Sequence, residues 1–196
     1  MLGERPELIL VAATELFRES GYHGVGVDDI GRASGITGPA VYRHFPSKVA
    51  ILIAVFDRIT ERLLEGGEAQ LARSRSARTR LERLVGFHID FVLEEREMMA
   101  VYAREENSLP SPDRRRLRRR QRLYLEHWVD TLCRLRPELS EEGGRAAVRG
   151  VLGMLNSVAH FDTGLERDEL EALLERMAIA ALLAAGRGPR GQASGR

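Results

Sequence analysis

Apolar residues recur three and four positions apart along almost the whole chain, and this spacing is what most constrains the fold. It is the period of an amphipathic α-helix, which buries one stripe of its surface. No segment alternates apolar and polar residues for long enough to indicate a β-strand, and aromatic residues make up only 6% of the chain. The pattern therefore predicts an all-α protein.

The first third of the sequence predicts one helix followed by two short ones. The first helix begins near Pro6 and is ended by Gly21. Its apolar stripe consists of Ile9, Ala12, Ala13, Leu16 and Phe17. The short helices cover 27–34, with Ile30 and Ala33 facing inward, and 38–45, with Val41 and Phe45 facing inward.

Three residues, Gly35, Ile36 and Thr37, join the two short helices. Gly35 is well placed to end the first of them in the left-handed conformation. Thr37 is a candidate N-cap for the second, and Pro39 is tolerated in its first turn. Two short helices joined in this way predict a helix-turn-helix, a unit that presents its second helix to the major groove of DNA. Short helix pairs also occur in enzymes.

Longer helices are predicted for the remainder of the chain. The fourth begins at Lys48, after the cap Ser47, and ends at Leu64 before two glycines. The others cover about 77–95, 97–107, 113–135, 141–160 and 167–185. The final stretch, 187–196, holds Gly, Ser and Arg without an apolar anchor and is expected to be a disordered tail.

The helix-turn-helix region carries a set of residues with a known counterpart. Its most specific part runs from Gly35 to Lys48. It is joined by Ala12, Ala13, Leu16, Phe17, Gly21, Tyr22, Asp29, Ile30 and Ala33. Together they resemble the TetR family of bacterial transcription regulators over about residues 7–55. The resemblance implies a three-helix DNA-binding domain at 1–47 and a helical ligand-binding and dimerisation domain at 48–186.

The resemblance also implies which residues contact DNA. Phosphate contacts are expected from Thr37, Tyr42, His44 and Lys48. Bases would be read by Gly38, Pro39, Ala40 and Arg43, on the exposed start and face of the third helix. The free N–H groups at a helix start attract phosphate, and an arginine can reach guanine. The alternatives are that Tyr42 is a rim aromatic, that His44 only caps a helix, and that Lys48 is a solvated charge.

This DNA-binding region departs from the family in two ways. Gly26 stands where a Ser or Thr commonly caps the second helix. Gly38, Pro39 and Ala40 stand where polar or basic residues are often seen, so we expect DNA shape and methyl contacts to matter more than base readout by side chains. In addition, the first 48 residues hold five basic and six acidic side chains, so the broad basic footprint of many nucleic-acid binders is missing. We therefore expect weak non-specific binding, with affinity that depends on a few placed contacts and on dimerisation.

The densest basic run lies far from this region. Seven arginines fall between Arg114 and Arg122. Adjacent arginines point all round a helix, so a solvated face, partly paired with Glu105, Glu106 or Asp113, is the preferred interpretation. Direct DNA binding and contact with an acidic ligand headgroup remain alternatives.

The resemblance implies a ligand cavity among the middle helices. Candidate lining residues are the large or polar groups near apolar faces: His88, Phe91, Met98, Tyr102, Trp128, Asn156 and His160. His88 could instead be a satisfied core histidine, and Phe91 and Trp128 could be ordinary core residues. Asn156 is the most informative of the set, because a buried amide needs hydrogen-bond partners.

A homodimer through the last two helices is also implied. The penultimate helix offers small residues that permit close approach: Ala146, Ala147, Gly150, Gly153 and Ser157, beside Met154. The last helix offers Leu170, Leu173, Leu174, Met177, Ala181 and Leu182. The alternative is that these residues form a core within one chain.

The function expected from this reading is a repressor that binds a palindromic operator as a dimer and is released by a small, largely apolar ligand. The alternative is a helical ligand-binding or interaction protein without specific DNA recognition. No Gly-x-Ser-x-Gly elbow, phosphate-binding loop or His-Glu-x-x-His motif is present, so no enzyme, cofactor or metal site is expected. One cysteine and no apolar run near ~20 residues favour a cytoplasmic protein without a membrane partner.

Overall fold

The structure, a computed structural model, describes residues 4–160 and 162–184. These residues form nine α-helices and two short 3-10 helices, with no strand among them, and the expectation of an all-α protein is confirmed. The α-helices are α1 (Glu4–Gly24), α2 (Val27–Ala33), α3 (Gly38–Val41), α4 (Lys48–Ala72), α5 (Ala77–Glu94), α6 (Arg96–Glu105), α7 (Ser111–Leu135), α8 (Glu141–Ser157) and α9 (Arg167–Ala184). The 3-10 helices are Glu106–Ser108 and Val158–His160. The expected disordered tail lies outside the described residues.

Helices α1–α3 form what we call the head, and helices α4–α9 form the body. In the head, α2 packs on α3, and α1 packs on α2 and, in the body, on α4 and α6. In the body, α4, α5 and α7 pack on one another, and α8 and α9 pack beside α5 and α7. One continuous apolar core runs through both parts, from Ile9 and Phe17 to Leu182. The head therefore shares its core with the body.

Local sequence signals place most helix ends in the head. Gly21 interrupts the helical conformation of α1 with φ +74°, and Gly35 ends α2 with φ +71°, as the two glycines predicted. At the start of α2, Gly26 lacks a side chain, and the Asp29 carboxylate accepts the Gly26 N–H at 2.9 Å. That bond is one half of a capping box, and the other half, a cap side chain that accepts the Asp29 N–H, is missing because Gly26 has no side chain.

Thr37 occupies the N-cap position of α3, as predicted, although its side chain makes no capping hydrogen bond. Two other local predictions for the head were wrong. Helix α3 ends at Val41 rather than Phe45, and the chain continues as a turn. Ala33 is exposed rather than inward-facing, because the short α2 buries only Ile30 and Gly31.

Helix α4 runs eight residues further than expected, through both Gly66 and Gly67 to Ala72. A Cβ on Gly66 would lie 2.1 Å from the ring of Phe87 on α5. A Cβ on Gly67 would lie 2.8 Å from the ring of Tyr124 on α7. The two glycines therefore do not end the helix: they leave room for aromatic rings from its two neighbours.

The turn between α2 and α3 is equally tight at Gly31, and there the neighbours are backbone atoms. A Cβ on Gly31 would lie 2.8 Å from the Gly38 nitrogen and 2.9 Å from the Thr37 carbonyl carbon. At Gly38 a Cβ would instead meet the side-chain carboxylate of Asp28. Glycine at position 31 therefore sets how closely the helices of the helix-turn-helix approach each other.

Within the described ranges, none of the helices has the length and apolar character that crossing a bilayer demands.

The close approach at Gly31 can be tested by substitution. We expect Gly31→Ala to lower the free energy of unfolding by about 1–3 kcal/mol, since backbone must shift to admit the methyl group. The matched control is Gly86→Ala in α5, where a Cβ would meet nothing within 4 Å. This control should raise stability by up to ~1 kcal/mol through helix propensity. Urea unfolding of both variants checks the prediction, and equal effects of the two would contradict it.

Candidate DNA-binding face and body cavity

The exposed surface of the helix-turn-helix holds most of the predicted DNA contacts. Thr37, Pro39, Tyr42, Arg43 and His44 are exposed, and Ala40 is half-buried. Tyr42 is 54% exposed, which is unusual for a large apolar ring and leaves its hydroxyl available to a partner. No hydrogen bond or ion pair links any of these six side chains to another described residue. The surface is thus available for contact with DNA.

Gly38 is a correction to the predicted base-reading set. It is buried against Asp28, whose side chain would have to move to admit a methyl group there. Of the other residues predicted to read bases, Pro39 and Arg43 are exposed and Ala40 is half-buried.

Lys48 makes a structural contact that the sequence did not reveal. Its ammonium donates to the carbonyl oxygens of Tyr22 at 2.9 Å and Val25 at 2.8 Å. It also lies 4.5 Å from the centre of the Tyr22 ring, a cation–π geometry. Lys48 therefore ties the start of α4 to the segment between α1 and α2. An ammonium has three donors, so one remains for a phosphate.

A second contact joins the head to the body at the far end of α1. Glu105 on α6 is only 7% exposed, and its carboxylate accepts the backbone N–H of Tyr22 at 3.1 Å. The same carboxylate accepts Arg104 Nε and the Ser108 hydroxyl, each at 3.0 Å. Burial would raise the pKa of Glu105, but these hydrogen bonds outweigh it and hold the pKa below its usual range.

Arg104 completes this contact. Its guanidinium donates to the carbonyl oxygens of Phe17 and Arg18 in the last regular turn of α1. Those carbonyls are free because the helix is interrupted at Gly21. We call Arg104, Glu105 and their partners on α1 the α1–α6 clamp. Local sequence patterns gave no sign of it, since its partners lie more than 80 residues apart.

The body contains a partly open cavity of about 440 Å³ bounded by α4, α5, α6, α7 and α8. Its apolar lining comes from Ile59, Leu63, Met99, Leu125 and Leu152. Its polar lining comes from Thr60, His88, Tyr102, Gln121, Tyr124 and Asn156. Its charged lining comes from Glu106, Arg118, Arg120, Arg122 and Arg149. The volume is within the range that small-molecule sites occupy.

Three predicted ligand residues, His88, Tyr102 and Asn156, line this cavity, and four do not. Phe91 and Trp128 are buried in the core, as their alternative reading held. Met98 and His160 line a separate, more open depression between α1, α6 and the end of α5. The helical pattern could place these four near an apolar face but could not say which side of it borders the cavity.

His88 is the centre of a buried polar chain in the cavity wall. Its Nδ1 lies 3.1 Å from the Tyr124 hydroxyl, and its Nε2 lies 2.9 Å from Asn156 Oδ1. Burial lowers the pKa of His88 to about 4, against the opposing effect of the Asn156 hydrogen bond. The neutral ring then donates from Nε2 to the amide oxygen and accepts from Tyr124 at Nδ1. Burial also raises the pKa of Tyr124, so the whole chain is uncharged. Burial raises the pKa of Tyr102, elsewhere in the cavity lining, in the same way.

The arginine run on α7 is partly paired, as predicted, and two of the three predicted partners are found. Arg118 pairs with Glu106 at 2.8 Å, and Arg116 approaches Asp113 at 3.5 Å. Glu105 is not a partner of the run, because the clamp occupies it. Asp57 on α4, which the sequence did not suggest, binds Arg116 through both oxygens at 2.8 and 3.0 Å. Most of the run is nevertheless exposed to solvent, as the preferred interpretation held.

The fold and these two sites define a class: an all-helical protein that combines a DNA-binding head with a body that can hold a small molecule. Comparison with known proteins gives the family. A model described as bacterial regulatory proteins, tetR family, matches residues 9–55, and one described as tetracyclin repressor-like, C-terminal domain, matches residues 74–164. The chain belongs to the TetR family of DNA-binding transcriptional regulators.

Individual relatives agree with this assignment. The transcriptional activator FasR of Mycolicibacterium smegmatis is 36% identical over 89 residues, which cover 45% of this chain and 41% of FasR. The match thus spans less than half of that relative. A TetR-family regulator from Bordetella parapertussis has the same fold, with a TM-score of 0.83 and 22% identity over 91% of this chain and 95% of its own. AibR, solved with isovaleryl coenzyme A and operator DNA, has a TM-score of 0.75 and 18% identity, covering 89% and 97% of the two chains.

The role of Lys48 can be separated from that of Tyr42. We expect Lys48→Met to lower the free energy of unfolding by about 2 kcal/mol, because two carbonyl groups lose a charged donor. Tyr42→Phe should leave stability within about 0.5 kcal/mol but weaken DNA binding, since only an exposed hydroxyl is lost. Thermal unfolding and fluorescence anisotropy with labelled DNA make the comparison. A Lys48→Met variant as stable as the wild type would contradict the structural role.

His88 predicts a pH dependence of stability. The pKa of His88 is about 4 in the folded protein and 6.5 for an ordinary histidine in the unfolded chain, so the unfolded chain binds a proton first as the pH falls. The contribution of neutral His88 is therefore fully present above pH 6.5 and is lost progressively towards pH 4, by on the order of 3 kcal/mol.

His88→Gln removes this titration and keeps a group that can donate to Asn156. Stability of the wild type and the variant should be measured by urea unfolding from pH 4 to 7.5. The free energy of unfolding of the variant should rise relative to that of the wild type as the pH falls. A difference that does not change with pH would contradict the burial of a neutral histidine.

Proposed function

We propose that the protein is a repressor that binds an inverted-repeat operator as a homodimer and is released when a small molecule occupies the body cavity. The observation that carries the proposal is the position of the cavity relative to the head. The same helices, α4 and α6, line the cavity and hold the head. A molecule in the cavity therefore acts directly on the supports of the DNA-binding surface.

Helix α6 supplies one of these connections. Met99 and Tyr102 face the cavity. Arg104 and Glu105, which follow Tyr102 within one helical turn, form the α1–α6 clamp. Helix α4 supplies the other, because Ile59 and Leu63 line the cavity while Lys48 at its start holds the Tyr22 and Val25 carbonyls. A shift of either helix on ligand binding changes the angle of the head.

Such a shift releases DNA only if the ligand binds the released arrangement more tightly than the DNA-bound one. In a two-fold dimer, two recognition helices must reach half-sites about one DNA turn, ~34–36 Å, apart. A small rotation of each head is enough to lose this spacing. Operator affinity then falls although neither DNA-binding surface is altered.

Exposed apolar surface on α8 and α9 supports the dimer. Leu173 and Met177 are 36% and 44% exposed, and Ala180, Ala181 and Ala184 continue the same side of α9. Beside them, α8 exposes the small residues Ala146, Gly150, Gly153 and Ser157 at helical spacing. Leu170, Leu174 and Leu182 turn inward instead and belong to the core of one chain. The exposed set is the proposed dimer face.

The proposal also draws on the relatives. AibR was solved with both an acyl-coenzyme A and operator DNA, which supports a similar pairing of ligand and operator here. FasR is named an activator, so the direction of regulation needs its own readout. A promoter carrying the operator, fused to a reporter gene, supplies it: repression lowers expression, and loss of the protein raises it.

The DNA half of the proposal is tested by selection of genomic fragments from the source organism with the purified protein at physiological salt. An enriched inverted repeat with half-sites about one helical turn apart is expected. Fragments without an inverted repeat would contradict recognition by a dimer.

The dimer face gives a sharper test. We expect Met177→Glu to convert the dimer into monomers and to weaken operator binding at least tenfold, since a buried unpaired carboxylate is costly at an interface. The matched control is Ala172→Glu, an exposed position on another side of α9. Analytical ultracentrifugation and anisotropy with the selected operator are the readouts. A dimeric, operator-binding Met177→Glu variant would overturn the assignment of this face.

A further inference from the structure

The body cavity has a charge distribution that a wholly apolar ligand would not use. Four of its lining residues are arginines, Arg118, Arg120, Arg122 and Arg149, and one is a carboxylate, Glu106. Three of the arginines lie on α7, and Arg149 lies on the facing α8. We call these four side chains the arginine rim.

Protein carboxylates only partly neutralise this rim. Glu106 accepts from Arg118 at 2.8 Å. Asp57 lies 3.3 Å from Arg120, but both of its oxygens already bind Arg116 at 2.8 and 3.0 Å. Arg122 and Arg149 have no hydrogen bond or ion pair with any described residue. Positive charge therefore remains available on both sides of the cavity.

The rest of the cavity lining carries no charge that would oppose the positive charge of the rim. Ile59, Leu63 and Leu152 are apolar, and the chain of Tyr124, His88 and Asn156 is neutral and already internally hydrogen-bonded. The cavity thus offers an apolar interior and a cationic edge. A bound molecule that matches both must be apolar along its body and negatively charged at one end.

We propose that the effector is an anionic amphiphile, with its apolar body inside the cavity and a carboxylate or phosphate group at the arginine rim. Guanidinium groups donate two parallel hydrogen bonds to such groups, and these charge-assisted bonds are stronger than neutral ones. This inference rests on the proposed function, because it names the class of ligand for the same cavity.

Binding can be followed without a label. Trp128 is the only tryptophan of the chain. The centre of its ring lies 5.8 Å from that of His88 and 6.2 Å from that of Tyr124, and both of these residues line the cavity. Its fluorescence is the readout for titration with dodecanoate, dodecyl phosphate, 1-dodecanol and dodecyltrimethylammonium. All four share one chain length and are used below their micelle-forming concentrations.

We expect dodecanoate or dodecyl phosphate to bind at least tenfold more tightly than dodecanol, and the cationic probe to bind most weakly. The better of the two anions identifies the headgroup. In Arg122→Gln/Arg149→Gln, affinity for the anion should fall about tenfold or more while affinity for dodecanol stays the same. The matched control is Arg115→Gln/Arg119→Gln, which removes two exposed arginines of α7 that do not line the cavity.

A complementary variant should change the affinity for the anion in the opposite direction. Glu106→Gln removes the carboxylate that occupies Arg118, and it should strengthen anion binding. A stronger anion affinity in this variant supports the rim, because a merely structural role for Glu106 would not raise it. An unchanged or weaker affinity argues against the rim as the site of the headgroup.

The outcomes separate the two levels of the proposal. If dodecanol binds as tightly as the anions and releases operator DNA, the anionic class is overturned and the ligand-responsive regulator stands. If the anions bind equally well to wild type and Arg122→Gln/Arg149→Gln, the rim is overturned. If none of the probes changes Trp128 fluorescence or operator affinity, the anionic amphiphile is overturned, while the operator selection still tests the regulator independently.

Discussion

The attachment of α1 to the body depends on one contact, the α1–α6 clamp, in which a buried carboxylate and an arginine of the body hold the end of α1. Glu105 accepts the Tyr22 N–H, and Arg104 donates to the carbonyls of Phe17 and Arg18. These backbone groups are available because α1 is interrupted at Gly21. A buried carboxylate is tolerated only with full hydrogen bonding, so the hydrogen bonds of Glu105 tie the end of α1 to α6.

The cavity lies next to this contact. Its walls include the middle of α4 and the face of α6 that precedes the clamp, so a ligand there would contact both helices that support the head. In the proposed mechanism the displacement reaches the head because packed interiors contain little free volume and transmit it. Gly66 and Gly67 contribute by admitting Phe87 and Tyr124, which brings α5 and α7 against α4 around the cavity.

Most of the fold could be predicted because the helical period is local. Helices α5, α7 and α9 begin and end within two residues of the predicted bounds. Helix α4 was predicted too short, because a pair of glycines commonly ends a helix. Nothing in the local sequence shows that aromatic rings from neighbouring helices pack against these two glycines. Gly35 was predicted correctly, because a left-handed end to a helix is itself a local requirement.

The candidate site was less predictable, because its contacts join residues that are far apart in the sequence. His88, Tyr102 and Asn156 stand out as polar residues on apolar helices, and all three line the cavity. Phe91 and Trp128 also lie near apolar helix faces, but their side chains point into the core rather than into the cavity. The rim escaped notice because an unbroken arginine run points all round a helix, and only the position of α8 reveals which arginines border the cavity. The clamp joins distant segments, and long-range pairing leaves no periodic signal.

The most direct test of the central claim is hydrogen exchange of α6 in the presence and absence of operator DNA. Coupling between two sites is reciprocal, so DNA bound to the head must alter the body if the body controls the head. In the wild type, DNA should slow amide exchange across 96–108. In Arg104→Met, with DNA binding retained, this effect should be lost, and Arg119→Met should behave as the wild type. Exchange in α6 that DNA leaves unchanged in the wild type would contradict the account.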